Sequence, residues 1–193
     1  MRIKKRHFVW GLILTTTLAV VLGVILTFYH SNPRMPDPQN ADKKKSVEGN
    51  LKRVNKFLAE KDQERIRSFV QRRGWNMQRT GSGLWYMIDR PGGGMQIEQG
   101  MHVKMNYEIR LLDGTLCYSS DSSGAKVFRV GEEDEPQGLH EAMKRLHEGD
   151  HARIIMPPHL AHGLIGDGER IPARAILVYD VQVLKASPRK IRR

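Results

Sequence analysis

The feature that most constrains this chain is a stretch with no charge in it. Phe8 to Tyr29, FVWGLILTTTLAVVLGVILTFY, is 22 residues long and has no acidic or basic side chain. At about 1.5 Å of rise per residue, a helix of that length spans about 33 Å, close to the ~30 Å hydrocarbon core of a bilayer. Trp10 stands near one end and Phe28 and Tyr29 at the other, as interfacial aromatics do. Arg2, Lys4, Lys5 and Arg6 precede the run. Residues 1–30 therefore read as a basic cytoplasmic tip followed by a single transmembrane anchor. A cleaved signal peptide is the rival reading. Its apolar region is usually shorter, ~7–15 residues, and ends in small residues, whereas this run passes into TFYHSNPRMP. The basic tip favours the cytoplasmic side of the membrane, which puts the rest of the chain outside the cytoplasm. Arg34 and Lys43 to Lys45 on the far flank dilute that asymmetry.

The net charge of +11 has to be located before it is interpreted. Residues 95–184 hold 9 basic and 14 acidic side chains, so the positive charge lies in the N-terminal part and the tail. A nucleic-acid-binding module needs its basic face on the folded domain, and this distribution argues against one. At 39% hydrophobic and 27% charged, the chain can build a core. A single cysteine, Cys117, excludes an intrachain disulfide and any all-cysteine zinc site.

Residues 31–46 hold three prolines and a lysine run and read as an extended linker. Residues 47–74 show helical spacing. Val47, Leu51, Val54 and Leu58 recur at three and four residues, and Ile66, Phe69 and Val70 resume the stripe. The opposite face carries Lys52, Arg53, Lys56, Lys61, Glu64 and Arg65. Such an amphipathic helix either packs on a domain, self-associates or touches anionic headgroups. Trp75 to Ile88 reads as two short strands around Gly81-Ser82-Gly83.

From 75 to 186, with a core over 95–184, the pattern is α+β. Val103, Met105, Tyr107, Ile109 and Leu111 alternate with polar residues, as in a half-buried strand. Asp113-Gly114 is a hairpin signal, and Thr115 to Ser120 starts the return. Phe128 to Val130 is a further short strand, Leu139 to Leu146 a short helix, and Ala152 to Met156 a strand stopped by Pro157-Pro158. Ile176 to Leu184 is the final strand. Residues 187–193 form a basic tail.

This order of elements resembles the FKBP class of peptidyl-prolyl cis-trans isomerases, in its membrane-anchored bacterial branch. The residues that carry the likeness are Tyr107, Leu111-x-Asp113-Gly114, Ser119-Ser120, Phe128-x-x-Gly131, Gly138-Leu139-x-Glu141-Ala142 and Gly149-Asp150-x-Ala152. Pro158-x-x-Ala161-x-Gly163, Gly166, Ile171-Pro172 and Leu177-x-Tyr179-x-Val181 complete it. The resemblance implies a bent antiparallel sheet wrapped around one short helix, with an apolar pocket between them. The pocket would take an X–Pro segment and lower the ~18–20 kcal/mol barrier to amide rotation. Rotation needs no cofactor, metal, acid or base, since the twisted amide is less charge-separated than the planar one. An apolar, water-poor site favours it.

Carried over by the resemblance, the site residues are Tyr107, Phe128, Leu139, Ile171 and Tyr179, with core packing the plainer account of Phe128 and Tyr179. His162 stands in place of a loop tyrosine and can still donate a hydrogen bond. Cys117 and Tyr118 replace an aromatic wall and a carboxylate, and Tyr118 can supply a ring. Pro136 falls where the family offers a backbone N–H, which proline lacks. Glu132 to Glu135 reads as a solvated acidic turn. His147, His151, His159 and His162 are more simply exposed side chains than zinc ligands. The expectation is a tethered prolyl isomerase acting on exported proteins. The alternative is a binding module or chaperone of the same fold.

Overall fold

The computed structural model describes residues 20–28, 38–132 and 135–191. The chain divides into two compact units, Met1–Arg53 and Val54–Arg193. In the first, residues 20–28 are helical, and Val20, Leu22, Leu26 and Phe28 are all more than half exposed. The rest of the expected 8–29 anchor lies outside the described residues. Among those described, no helix is long and apolar enough to cross a membrane.

Helix α1 runs from Pro38 to Arg72. It corrects the expected linker, because residues 38–46 are helical rather than extended. Pro38 is the first helical residue, a position where proline's fixed φ fits and its missing N–H costs nothing. The apolar stripe divides along the chain. Val47, Leu51, Val54 and Phe57 are at least half exposed, while Ile66, Phe69 and Val70 are buried.

The second unit holds a seven-stranded antiparallel sheet. Its strands are β1 (Gln78–Arg79), β2 (Trp85–Arg90), β3 (His102–Leu111), β4 (Leu116–Ser119), β5 (Lys126–Arg129), β6 (His151–Met156) and β7 (Leu177–Ser187). The order is β1-β2-β6-β7-β3-β4, and β5 also pairs with β3. β4 meets β3 at Glu108 to Arg110 and β5 meets it at His102 to Met105, so the two share one edge. The four-residue helix α2 (Ser120–Ser123) interrupts that edge. Helix α3 (Gln137–Met143) follows β5, and a 3₁₀ turn (Pro158–Leu160) follows β6.

Alternation in β3 sends Val103, Met105, Tyr107 and Ile109 inward. They join Leu139, Ala142 and Met143 of α3 and Ile154, Leu177, Tyr179 and Val181 of β6 and β7 in one core. Side chains of opposite parity, Ile155 and Val178, form a second cluster with Ile176 and with Ile66, Phe69 and Val70 of α1. α1 thus covers the outer face of the sheet and α3 the inner face. Gly138 allows α3 to lie close to the 3₁₀ turn, since a Cβ there would stand 2.7 Å from Met156 Sδ and 2.9 Å from the Leu160 carbonyl oxygen.

Candidate functional site

The break between β4 and β5 positions the first site residue. Where a continuous strand would pair with Tyr107, serines take over. The Tyr107 N–H donates to Ser120 Oγ at 3.1 Å, and the Tyr107 hydroxyl shares a 2.9 Å hydrogen bond with Ser123 Oγ. Ser119 Oγ caps α2 by accepting from the Asp121 N–H, 3.1 Å. The ring of Tyr107 is left on the inner face, 8% exposed.

Cys117, Phe128, Leu139, Ile171 and Tyr179 are buried in the same core cluster as Tyr107, and Tyr118 packs against that cluster. Burial pushes the Tyr179 hydroxyl well above its ordinary value, and the charge of Glu135 adds to this. Phe128 lies beside His140, ring centroids 5.7 Å apart, and His140 Nδ1 accepts from the Gly131 N–H. Pro136 and His162 lie outside this cluster, and both are half exposed. The Pro136 carbonyl accepts from the Leu139 N–H at 2.9 Å and so opens α3.

Charged groups surround the apolar cluster. Lys126 Nζ bridges both carboxylate oxygens of Glu135, at 2.8 and 3.0 Å, and stands 5.3 Å from the Tyr107 ring centroid. Glu135 is therefore a half-buried ion-pair partner, a correction to the solvated acidic turn. On the other side, the Tyr118 hydroxyl donates to Asp167 at 2.5 Å and reaches Glu169 at 3.3 Å. Both carboxylates belong to the loop that faces β4. The bond to Asp167 pushes the Tyr118 hydroxyl up to about 12. Burial alone would raise the Asp167 carboxyl. The Tyr118 hydroxyl and the N–H groups of Glu169, Ile171 and Arg170 outweigh it and hold the carboxyl at about 2.

The same loop is latched to β4 twice more. Arg170 Nη1 donates to the Cys117 carbonyl at 3.0 Å, and the Cys117 thiol faces the Arg170 carbonyl at 3.6 Å. Burial pushes the thiol's pKa up, with Asp167 and Asp113 adding to it, and a buried protonated thiol is a poor nucleophile.

Residues 93–184 match the family model for the FKBP-type peptidyl-prolyl cis-trans isomerase. This stretch is an FKBP-type isomerase domain. Among curated relatives, the chain is 31% identical over 147 residues to the FKBP-type peptidyl-prolyl cis-trans isomerase FkpA of Buchnera aphidicola subsp. Schizaphis graminum, covering 72% of this chain and 57% of that one. It is 38% identical over 106 residues to the probable FkpA of Neisseria meningitidis serogroup B, covering 55% and 39%. The chain thus spans about half the length of these relatives. The crystal structure of AtFKBP13 superposes with a TM-score of 0.56 at 23% identity, over 58% of this chain and 99% of that one, which establishes the fold.

Within the FKBP-type domain, several residues of the site have no local signal in the sequence. Asp167, Glu135, Lys126 and Ser123 each act across 9 to 49 residues of chain. The histidines have separate partners. His147 pairs with Asp150, His151 accepts from Arg90, and His159 donates to the Ser82 carbonyl. Among the described residues, no group of three or more His, Cys, Asp and Glu side chains is placed to hold a metal ion.

Proposed function

We propose that this protein is a membrane-tethered prolyl isomerase that assists the folding of exported proteins by binding X–Pro segments. The observation that carries the reading is the ring-lined apolar cluster of Tyr107, Phe128 and Tyr179, with Ile171 and Leu139, between helix and sheet. An X–Pro amide moved there leaves water, which removes solvation from its charge-separated planar form and lowers the cost of twisting. Tyr107, Tyr179 and Ile171 hold the proline ring, and Phe128 and Leu139 form the floor. His162 offers a donor to a twisted carbonyl, Tyr118 adds a ring while its hydroxyl proton stays with Asp167, and Cys117 stands where a larger wall residue would. Pro136 removes one N–H that could have held the chain beyond the proline.

The uncharged run Phe8 to Tyr29 supports the tether, and the basic residues before it support a periplasmic domain. Alkylation of single cysteines introduced into residues 31–37 should then require a reagent that reaches the outer side of the membrane. Labelling only after the cytoplasm is opened reverses the orientation.

A second reading, a binding module of weak activity, has one observation in its favour. Cys117, Tyr179 and Ile171 are each at most 3% exposed, so the site is closed at rest. Exchange NMR on an X–Pro peptide panel with the full chain in micelles decides between them. Acceleration that falls at least tenfold on Tyr107→Ala or Tyr179→Ala supports the isomerase. Peptide binding without acceleration supports the module.

A further inference from the structure

The pocket loop is held from a second side, by a residue outside the isomerase domain. Among the described residues, Arg174 is the one non-glycine with positive φ, 58°. Left-handed backbone is disfavoured for any residue that carries a Cβ, so the surroundings must hold it there. Two contacts do. The Arg174 N–H donates to the Gly163 carbonyl at 3.0 Å and closes the neck of the loop 163–174. The Arg174 guanidinium donates to Asp62 Oδ2 at 2.8 Å.

Asp62 is built to receive it. Its side chain is 8% exposed although it carries a charge, a position that requires a partner. It sits one turn before Ile66, which is fully buried under the sheet. Its neighbour Gln63 donates to the Gly83 carbonyl and accepts from Trp85 Nε1–H, both at 2.9 Å. This turn of α1 is therefore a fixed post. Arg65 Nη1, at 3.8 Å, is the other cation beside the Asp62 carboxylate.

From Arg174 the constraint reaches the pocket through a short, stiff segment. Pro172 has its φ set by its ring, and its carbonyl accepts from the Ala175 N–H at 3.3 Å. Ile171 precedes it, with its N–H held by Asp167 Oδ1 at 2.8 Å. Gly166 lies against the Ile171 carbonyl, in space a Cβ would occupy.

We propose that Asp62 is a positioning residue for the pocket. It fixes Arg174 in its left-handed conformation and thereby sets where Ile171 stands. The inference rests on the reading of Ile171 as a pocket wall. Without the tie, the loop spends less time in the competent arrangement, and apparent affinity falls by that fraction while bound substrate turns over as before.

The test compares the full chain in micelles with Asp62→Asn, Arg174→Gly and the double variant. Asp62→Asn keeps the shape and removes the charge. Arg174→Gly tolerates positive φ but has no guanidinium. Amide hydrogen exchange at Ile171 should speed up about tenfold in each single variant, with Ile154 and Val181 unchanged. KM for an X–Pro peptide should rise about fivefold at near-constant kcat, and the double variant should be no worse than the worse single one. Unchanged exchange at Ile171 overturns the proposal, and so does an equal rise throughout the sheet, which would mean Asp62 only stabilises the fold. If Asp62→Asn does not fold, Arg174→Gly decides by the same criteria. If the unmodified protein shows no isomerisation, the functional reading fails, and the exchange data still settle the role of Asp62.

Discussion

The two faces of the sheet use the same strands for different ends. On the inner face, Ile154 and Tyr179 belong to an apolar cluster drawn from β3 to β7 and α3. On the outer face, Ile155 and Val178, the next side chains in each strand, meet three apolar residues of α1. The inner face is fixed by the volume of its packing, with its polar bonds kept to the margin. The smaller outer cluster is fixed by directional bonds, Asp62 to Arg174 and Gln63 to Gly83 and Trp85. Apolar contact alone lets a helix slide. Hydrogen bonds with defined geometry set its register. An apolar site needs the first kind of surface, and a helix that must hold one orientation needs the second.

Substitutions at neighbouring positions can break this comparison. Ile154→Ala and Ile155→Ala remove the same atoms from fully buried positions on opposite faces. Loss of stability should be about 3–4 kcal/mol for Ile154 and about 2–3 kcal/mol for Ile155, which has fewer apolar neighbours to lose in the smaller outer cluster. Urea unfolding midpoints measure both, and an equal or reversed order removes the distinction between the faces. Gly138→Ala tests the closeness of α3 to the 3₁₀ turn. Met156 can swing away from a new Cβ but the Leu160 carbonyl cannot, so a loss of about 1–3 kcal/mol is expected, read from the same midpoints.

The smallest effect belongs to the margin. Tyr118→Phe should cost about 1 kcal/mol or less at neutral pH, because the bond is half exposed. Its sharper signature is the titration of Asp167. With a folded value of about 2 against an ordinary 3.8, the carboxylate stabilises the fold above pH ~4, and that contribution is lost as pH falls through about 2. In Tyr118→Phe the carboxyl midpoint, followed by carbon-13 NMR, should move up towards its ordinary value. No movement would mean that the three backbone N–H groups alone hold it down.

Much of the inner face was legible because strands advertise themselves by alternation. Val103 to Leu111 and the stop at Pro157-Pro158 place β3 and β6 to within a residue or two. The family resemblance then singled out Tyr107, Phe128, Leu139, Ile171 and Tyr179, which share the inner core, and also Pro136 and His162, which lie outside it. The polar ties were not legible. Asp62 and Arg174 are 112 residues apart, and Tyr118 and Asp167 are 49 apart. Such pairs leave no period in the sequence, since a charged residue on a loop looks the same whether solvated or latched. The start of α1 was misplaced for a local reason. Pro33, Pro36 and Pro38 together suggest an extended chain, yet proline is also well suited to begin a helix.

The single cysteine gives the loop a built-in clock. Cys117 is 1% exposed, behind the loop that Arg170 and Asp167 fasten to β4. A thiol reagent should reach it when that loop lifts. In the limit of rapid reclosing, the alkylation rate is the rate of the free thiol multiplied by the fraction of time the loop is open. With no second thiol in the chain to report, the modification rate of the unaltered protein measures the opening equilibrium, and an X–Pro peptide that occupies the site should slow it.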